Sequence, residues 1–524
     1  MTNATRMNQR NYNIFFHTHT ISGIIISLVL FVIFFAGSFA FFRSQISHWQ
    51  HNQPDRHAVK LVDYNRMTDS VTVQLNPKAR DLSFYSDPYS STIYFSASAP
   101  KDTTLKGGQE YADIDANTFV RHKAVYEQAY DLGEFLYRLH YLAQIPYPYG
   151  YYLSGGVAFI FLFALITGLL VHWQKIVSNF YVFRPWEKLK TLWTDLHTAL
   201  GVISFPYMLI FAITGANLLI SAPLFNDQVN KFESGFKKQK SEDGIEGHNV
   251  PYLSKLLEKP VDLNAVADAA RMIWGDSVVV NHLEVINYGD QSMQVHVGGV
   301  MDPSLRFAGE GELIFNVADG KILKHTDPRD AMSYSVIANE LLYRLHYATY
   351  GGLATKFLYF ILGLVVCIVI VSGVRIWLVA RDKDNVPAHK RMFNNWLARI
   401  YMAVAAGMLP VTAAAFIVVK FFPDEGMYFI FQIYFLSWLA VSVVLILTKD
   451  LNRINKYSLL ATALVGSAIP VINGFVTGNW MWISHRSGYK DVFLIDLLWL
   501  IIALCCFIAW RRTGKKPILT KAAV

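Results

Sequence analysis

Four histidines occupy matching positions in an internal repeat. His19 and His197 each open an apolar segment, and each is followed four residues later by a glycine. The hexapeptide Leu-Tyr-Arg-Leu-His-Tyr occurs twice and contains His140 in the first copy and His346 in the second. Imidazole is the commonest side-chain metal ligand. A solvated or capping histidine would not be expected to recur in this way, so these four residues are the leading candidates for metal ligation.

The four histidines are predicted to form two bis-imidazole sites. If a symmetry axis relates the two copies, His19 faces His197, and His140 faces His346. A haem iron held by two imidazoles fits such a pair, and apolar, aromatic walls suit the porphyrin. Two pairs predict two haems. The glycine after His19 or His197 shares a helix face with its histidine. It would let a flat macrocycle approach, although small residues also serve ordinary helix packing.

His172 is a further candidate ligand, and it breaks the symmetry. It ends the second apolar segment, and Trp377 stands at the matching place in the other copy. His172 could replace His19 or His197 as an iron ligand, it could support the ligands from beside them, or it could be an interfacial residue. The sequence leaves these alternatives open.

Three arginines are candidate partners for haem propionates. Arg138 and Arg344 lie two residues before their histidines, so on a helix they point away from the ligand face. They could clamp propionates from a neighbouring helix or form ion pairs that hold the adjoining hydrophilic segment, and neither alternative is preferred. Arg375, inside the fourth apolar segment, could pair with a propionate or extend to the interface.

The composition excludes a soluble enzyme, a disordered tail and a fibrous repeat. Of 524 residues, 53% are hydrophobic and 16% are charged, whereas about 25% of residues in a typical soluble domain are charged. The net charge of +8 comes from short stretches between apolar runs. The cysteines lie within apolar segments and offer no disulfide framework or CxxC metal site; they are Cys367, Cys505 and Cys506.

Eight apolar windows are long enough to cross a bilayer, which takes about 20 mostly apolar residues. They run over 21–42, 152–173, 200–220, 356–379, 396–421, 428–447, 459–476 and 492–510. The last four windows contain no histidine, and no chemistry is predicted for them. Lys420 lies at the edge of its window, where its side chain is expected to reach the interface.

Basic loops set the predicted orientation. They follow alternate windows, which places them all on one side of the membrane, and basic loops favour the cytoplasm. Both termini are therefore predicted to be cytoplasmic. The residues used are Arg6, Arg10, Lys175, Arg184, Lys188, Lys190, Arg381, Lys383, Lys390, Arg391, Lys449, Arg453, Lys456, Arg511, Arg512, Lys515 and Lys516.

The predicted fold is an α-helical membrane protein of about eight spans with two small α+β modules. The organisation is a first span at 1–42, a module at 43–150, two spans at 151–222, a module at 223–350, a fourth span at 351–382 and a C-terminal four-span bundle at 383–524. Strands are predicted at 71–75, 92–96, 111–114, 277–284, 292–297, 312–317 and 321–323, a helix at 253–274 and a hairpin turn at Asp319-Gly320.

The repeat covers the first four spans. The two copies lie 178 residues apart at His19 and His197, and 206 residues apart at His140 and His346, so the second module carries an insertion. Thr167-Gly168 in the first copy corresponds to Ser372-Gly373 in the second. Each copy has two spans, so both copies share one topology, and a pseudo-two-fold axis along the membrane normal is expected to relate them. One haem would then lie towards each membrane face.

These motifs resemble the PepSY-associated transmembrane family, over about residues 10–382. The matching features are the two His-x-x-x-Gly motifs, the two Leu-His pairs, the Thr-Gly and Ser-Gly pairs and the hairpin at 312–323. The resemblance implies PepSY modules in the periplasm of a Gram-negative inner membrane and bound b-type haem. The functional relatives that it suggests are siderophore reductases. Two features depart from the family pattern: His172 and the four C-terminal spans.

The resemblance leads to the prediction of a dihaem protein that reduces ferric siderophore iron in the periplasm. No part of the chain offers a flavin or nicotinamide site, so electrons would come from quinol or from a separate cytoplasmic reductase. Other expected contacts are membrane lipid and a possible second copy of the chain, and no nucleic acid. The alternatives are a siderophore or metal transporter and a non-enzymatic PepSY sensing or binding protein.

Overall fold

The computed structural model divides the chain into two compact units. The described residues are 8–54, 61–72, 75–86, 92–122, 126–173, 189–221, 250–302, 305–306, 308–330 and 334–513. The membrane unit comprises Met1–Pro54, Asp131–Lys231 and Tyr343–Val524, and the sheet unit comprises Asp55–Tyr130 and Phe232–Leu342. Six residues used for the orientation, Arg6, Lys175, Arg184, Lys188, Lys515 and Lys516, lie outside the described residues.

The described helices are numbered along the chain. They are α1 (Gln9–Ala40), α2 (Arg43–Gln50), α3 (Tyr64–Thr72), α4 (Tyr126–Ala129), α5 (Leu132–His140), α6 (Tyr149–His172), α7 (Leu189–Ala216), α8 (Leu263–Trp274), α9 (Tyr334–Tyr347), α10 (Gly352–Arg381), α11 (Ala388–Phe421), α12 (Met427–Leu447), α13 (Leu451–Thr477), α14 (Met481–Ser484) and α15 (Lys490–Arg512). A π-helical turn, Asn217–Ser221, follows α7.

The chain is a multi-pass membrane protein. Within the described part of the chain, eight helices are long and apolar enough to cross a membrane: α1, α6, α7, α10, α11, α12, α13 and α15. Each predicted window falls on one of them, which confirms the eight predicted spans. Helices α1 and α7 begin about ten residues earlier than their windows, because the less apolar residues before each window continue the same helix.

The first four spans form a ring. Helix α1 packs against α6 and α10, and α7 packs against the same two helices. Equivalent helices of the two repeat copies therefore lie opposite each other, as the predicted axis requires. In the C-terminal spans, α11 packs against α12 and α13, and α13 packs against α15. The short helix α2 packs against both α5 and α15.

One antiparallel sheet of eight strands forms the sheet unit. The strands are β1 (Leu82–Ser86), β2 (Thr92–Ala97), β3 (Glu110–Asp115), β4 (Arg121–His122), β5 (Val278–Ile286), β6 (Gln294–Met301), β7 (Glu310–Asn316) and β8 (Ile322–Thr326). Their order is β4-β3-β2-β1-β5-β6-β7-β8. The first four strands come from one hydrophilic segment and the last four from the other.

The pairing of β1 with β5 joins the two segments that the sequence predicts as separate modules. Leu82 pairs with Val285, and Phe84 pairs with Leu283. Without this pairing, β1 and β5 would be edge strands with unpaired backbone groups. Residues alternate along each strand, so one face of the joined sheet carries a single apolar core, which also contains Trp274 of α8.

Most predicted strands of the sheet unit are confirmed, and two predictions are corrected. The segment predicted as a strand at 71–75 instead contains the end of α3, whose buried residues Tyr64, Met67, Thr68 and Val71 have helical spacing. Strands β1 and β4 are two further strands that the sequence pattern does not predict. The helix expected from 253 begins only at Leu263, where the Asp262 side chain accepts a hydrogen bond from the Ala265 amide and caps it.

Candidate functional site: two facing histidine pairs

The first pair consists of His19 on α1 and His197 on α7. Their ring centroids are 6.1 Å apart, and the ring planes are inclined by 63°. Helices α1 and α7 are the opposite members of the ring, so equivalent positions of the repeat meet in its interior. This is the pairing that the repeat predicts.

The second pair consists of His140 and His346 and lies towards the other end of the ring. His140 ends α5, His346 is in the last turn of α9, and their ring centroids are 5.8 Å apart with the planes inclined by 40°. His140 is hydrogen-bonded to Ile33 of α1, 14 residues after His19. At 1.5 Å per residue, about 21 Å of helix separates the two levels.

The Nδ1 nitrogen of each of these four imidazoles is hydrogen-bonded. Its partner is the carbonyl oxygen of Ala164 for His19 (2.8 Å), of Ile33 for His140 (2.8 Å) and of Val369 for His197 (2.9 Å), and Oγ1 of Thr214 for His346 (2.7 Å). A carbonyl only accepts hydrogen bonds, so the first three rings carry their proton on Nδ1. Thr214 donates its own hydroxyl proton to Ile210, so its oxygen accepts from His346.

These hydrogen bonds leave each Nε2 with a free lone pair. In metal sites, a ligating histidine almost always donates its other N–H to a carbonyl, carboxylate or water, which fixes the ring orientation and the tautomer. Ala164 and Val369 are equivalent positions of the repeat, so His19 and His197 are held in the same way. Both pairs therefore have the hydrogen bonding expected of ligands.

The spacing of the rings also fits one metal ion within each pair. A nitrogen of imidazole binds a metal ion at about 2.0–2.1 Å, so two imidazoles on opposite sides of an ion have ring centroids about 6 Å apart. The observed separations are 6.1 and 5.8 Å. Within the described residues, no group of three or more His, Cys, Asp or Glu side chains is placed to hold a metal ion.

Burial keeps the second pair neutral. Helices α5 and α9 are outside the membrane-spanning helices. Burial lowers the pKa of the His140 imidazole, and it lowers the pKa of His346 to about 3. A neutral imidazole keeps the lone pair that ligation requires.

Three glycines make room for the histidine rings. A Cβ atom on Gly37 would lie 2.5 Å from Nδ1 of His140, and one on Gly168 would lie 2.9 Å from the His19 ring. Gly373 is equivalent to Gly168, and a Cβ atom on Gly373 would lie 3.2 Å from the His197 ring. The repeated Thr-Gly and Ser-Gly pairs therefore seat the first histidine pair.

The glycines of the His-x-x-x-Gly motifs border open space. A Cβ on Gly23 would meet no atom within 4 Å, and one on Gly201 would meet only Val369, at 4.0 Å. These glycines do not seat the histidines, so the available space is compatible with the close approach of a flat group.

A cavity of about 270 Å³ opens beside the second pair. Both histidines line it, together with apolar residues of α1, α6 and α7 and four phenols, Tyr137, Tyr141, Tyr151 and Tyr347. Burial raises the pKa of Tyr141 and Tyr347 above the usual range for a phenol, so both hydroxyls stay protonated. The cavity therefore combines two imidazoles, apolar walls and hydrogen-bonding hydroxyls.

Comparison with known proteins identifies the family. The sequence pattern of the PepSY-associated TM region matches residues 16–380. This chain belongs to the PepSY-associated transmembrane family. The uncharacterized protein PA4219 of Pseudomonas aeruginosa is similar to it, with 23% identity over 297 residues, which cover 52% of this chain and 68% of that protein. The matched region of this PepSY-associated protein contains all four paired histidines, His172 and Arg375.

Two of the candidate arginines in this PepSY-associated protein contact other residues of the same chain. Arg138 donates from Nε to Glu134 on the same helix at 2.7 Å, and Arg43 also pairs with Glu134. Arg375 donates to the carbonyl of Leu451 and lies over the ring of Trp193. Arg344 is buried near the end of α9.

His172 is close to the first pair. It ends α6 and lies near enough to His197 for an electrostatic interaction. The imidazole that packs against His197 in this structure is that of His19.

A buried charged cluster lies in the C-terminal spans, where no chemistry was predicted. Asp496 of α15 is fully buried and accepts hydrogen bonds from Nε1 of Trp49 (2.8 Å) and Nδ2 of Asn473 (2.9 Å). Lys420 donates to the Trp49 carbonyl, and its Nζ lies 4.0 Å from the centre of the Trp49 ring.

This cluster corrects the reading of Lys420 as a side chain that reaches the interface. Only 2% of its surface is exposed, because its stem packs inside the bundle and its ammonium group lies on Trp49. Asp496 is inside the eighth apolar window, at 492–510. A carboxylate at membrane depth was the signal from which a polar site here could have been predicted.

Proposed function

We propose that this protein binds two b-type haems and conducts electrons across the membrane to ferric iron held by a siderophore. The observation that carries the proposal is the pair of facing imidazoles near each end of one ring of spans. His19 and His197 would hold one iron, and His140 and His346 would hold the other. Haem held by two imidazoles takes up and releases one electron at a time.

The protein supplies orientation and a dry environment. The hydrogen bonds to Nδ1 would fix the orientation of each imidazole and leave its Nε2 available to bind iron. Gly37, Gly168 and Gly373 let the rings sit deep between the helices. Phe34, which contacts both Phe161 and Phe211, is among the apolar residues that line the cavity and would exclude water from a porphyrin there.

The proposed orientation places both termini in the cytoplasm and the sheet unit in the periplasm of an inner membrane. His19 and His197 would then lie near the cytoplasmic face, where quinol or a separate reductase would donate electrons. His140 and His346 would lie near the periplasmic face. One electron there would reduce Fe(III) in the chelate to Fe(II), which hard oxygen ligands hold less tightly.

Electron conduction can be tested in vesicles. Vesicles containing the protein would be loaded with dithionite, and a ferric trihydroxamate chelate would be added outside with a dye that traps Fe(II). We expect Fe(II) to form outside faster than in vesicles without protein, and the His346→Ala variant to lose this increase. If the reduced protein keeps its haem spectrum when the chelate is added, siderophore reduction is contradicted.

Glycine at position 37 offers a second test of haem binding. Alanine there would push against His140 and shift its Nε2. Overpacking of this kind costs about 1–3 kcal/mol, so we expect the second site to retain haem up to about a hundredfold less tightly. Gly156→Ala is the matched control, since a Cβ there meets nothing within 4 Å. The rate at which haem passes to excess apomyoglobin measures this difference, and equal rates in both variants would contradict His140 as a haem ligand.

The Lys420–Asp496 cluster favours a second candidate function, a transporter for a siderophore or a metal. Ionisable residues inside membrane helices often lie on ion pathways. However, both oxygens of Asp496 already accept hydrogen bonds from the protein, which is more typical of a structural group. A protein that moves radiolabelled chelate into vesicles without reducing it would support the transporter.

A further inference from the structure

The cavity beside the second histidine pair has one polar end and one apolar end. Its lining on α6 runs in order through Tyr151, Ser154, Ala158 and Phe161. These residues are three or four positions apart, so they share one helix face. From Tyr151 to Phe161 the helix rises about 15 Å. The lining therefore changes from hydroxyl-bearing to apolar with distance from the start of α6.

Two phenols from different helices meet at the polar end. Tyr137 of α5 and Tyr347 of α9 have their hydroxyl oxygens 3.2 Å apart. Tyr347 directly follows His346, and Tyr137 lies one helical turn before His140, so each phenol belongs to the same helix as one ring of the pair. The hydrogen bond between the two oxygens uses the proton of one hydroxyl. The other proton remains available to a further acceptor.

The charges behind this phenol pair favour an anion. The buried carboxylate of Glu134 is 2.6 Å from Nη2 of Arg43 and 2.7 Å from Nε of Arg138. Two guanidinium groups therefore contact this carboxylate. The Arg43 guanidinium lies 4.8 Å from the centre of the Tyr137 ring. A positive charge close to a donor strengthens the donor's hydrogen bond to a carboxylate.

A b-type haem matches this polarity, because its hydrocarbon ring carries two carboxylates on one edge. We infer that Tyr137 and Tyr347, rather than Arg138, bind the carboxylate edge of the group in this cavity. The inference rests on the haem binding proposed above. It adds the direction in which the macrocycle is inserted, with its carboxylates towards the start of α6 and its apolar edge towards Phe161.

The test removes the two hydroxyls and keeps the rings. Wild type, Tyr137→Phe, Tyr347→Phe and the double variant would be purified in detergent, and the transfer of haem to excess apomyoglobin would be followed by absorbance. The control is Tyr149→Phe. Tyr149 is 71% exposed and does not line the cavity. A hydrogen bond to a charged group contributes enough to change dissociation about tenfold or more.

We expect the double variant to release one of its haems at least tenfold faster than wild type, with Tyr149→Phe unchanged. The proteins would also be loaded with haem dimethyl ester, which has no carboxylate. Wild type should lose the ester faster than haem from the same site, whereas the double variant should lose both at similar rates.

Two results would overturn the inference without affecting haem binding itself. One is a double variant that retains two haems as long as wild type. The other is a wild type that releases haem and the ester equally fast. A wild-type protein that binds no haem would instead contradict the proposed function, and the inference would fall with it.

Discussion

Replacing His140 or His346 with alanine should reduce the haem content from about two per protein to about one, since each loses one of two iron ligands. Loss of either imidazole would leave an iron with a single protein ligand in a cavity whose walls otherwise carry apolar groups and hydroxyls. The remaining haem should be the one held by His19 and His197. Haem is measured as the pyridine complex and protein by amino-acid analysis.

The complementary variants sharpen this prediction. His19→Ala and His197→Ala should each remove the other haem, and His19→Ala combined with His346→Ala should remove both. His389→Ala is the control, because His389 is exposed at the start of α11. Two haems retained in all single variants would mean that these histidines are not the ligands, even if the protein binds haem elsewhere.

Asp496→Ala should be the most destabilising of the substitutions in the C-terminal spans. It removes the acceptor of the Trp49 and Asn473 hydrogen bonds and an opposite charge that acts on the buried Lys420. Each buried donor left without an acceptor costs about 1–3 kcal/mol. The expected result is a clearly lower midpoint of thermal unfolding in the same detergent, with haem content unchanged at low temperature.

A double variant distinguishes lost charge balance from lost packing. Lys420→Met with Asp496→Leu removes both charges and fills similar volumes, so it should be less destabilising than Asp496→Ala alone. Asp424→Ala, whose side chain is 72% exposed, should have little effect. If the double variant is as unstable as Asp496→Ala, the cluster contributes through packing rather than through its charges.

The parts of this structure that depend on local sequence were predictable. A run of about 20 apolar residues has few alternatives to a membrane helix, so all eight spans could be located. The repeat related His19 to His197 and His140 to His346 because equivalent positions in two copies meet across one axis. The strands of the second hydrophilic segment were marked by alternating residues and by Asp319-Gly320.

The features that depend on distant partners were not predictable. Strand β1 pairs with β5, about 200 residues away, and no local pattern specifies that partner, so one sheet was predicted as two modules. The sequence alone does not determine whether Arg138 pairs with a ligand or with Glu134, because that depends on how the helices pack. Asp496 could have been noted from the sequence, but its contact with Trp49 depends on α2 packing against α15.

The haem-to-protein ratio of the wild-type protein, measured together with its electron paramagnetic resonance spectrum, tests the central claim most directly. Two facing pairs of imidazoles, each with Nε2 free, predict two haems per chain with low-spin iron(III) held by two nitrogens. A protein without haem, or with high-spin iron that lacks a second imidazole, would contradict the assignment of these pairs as haem ligands.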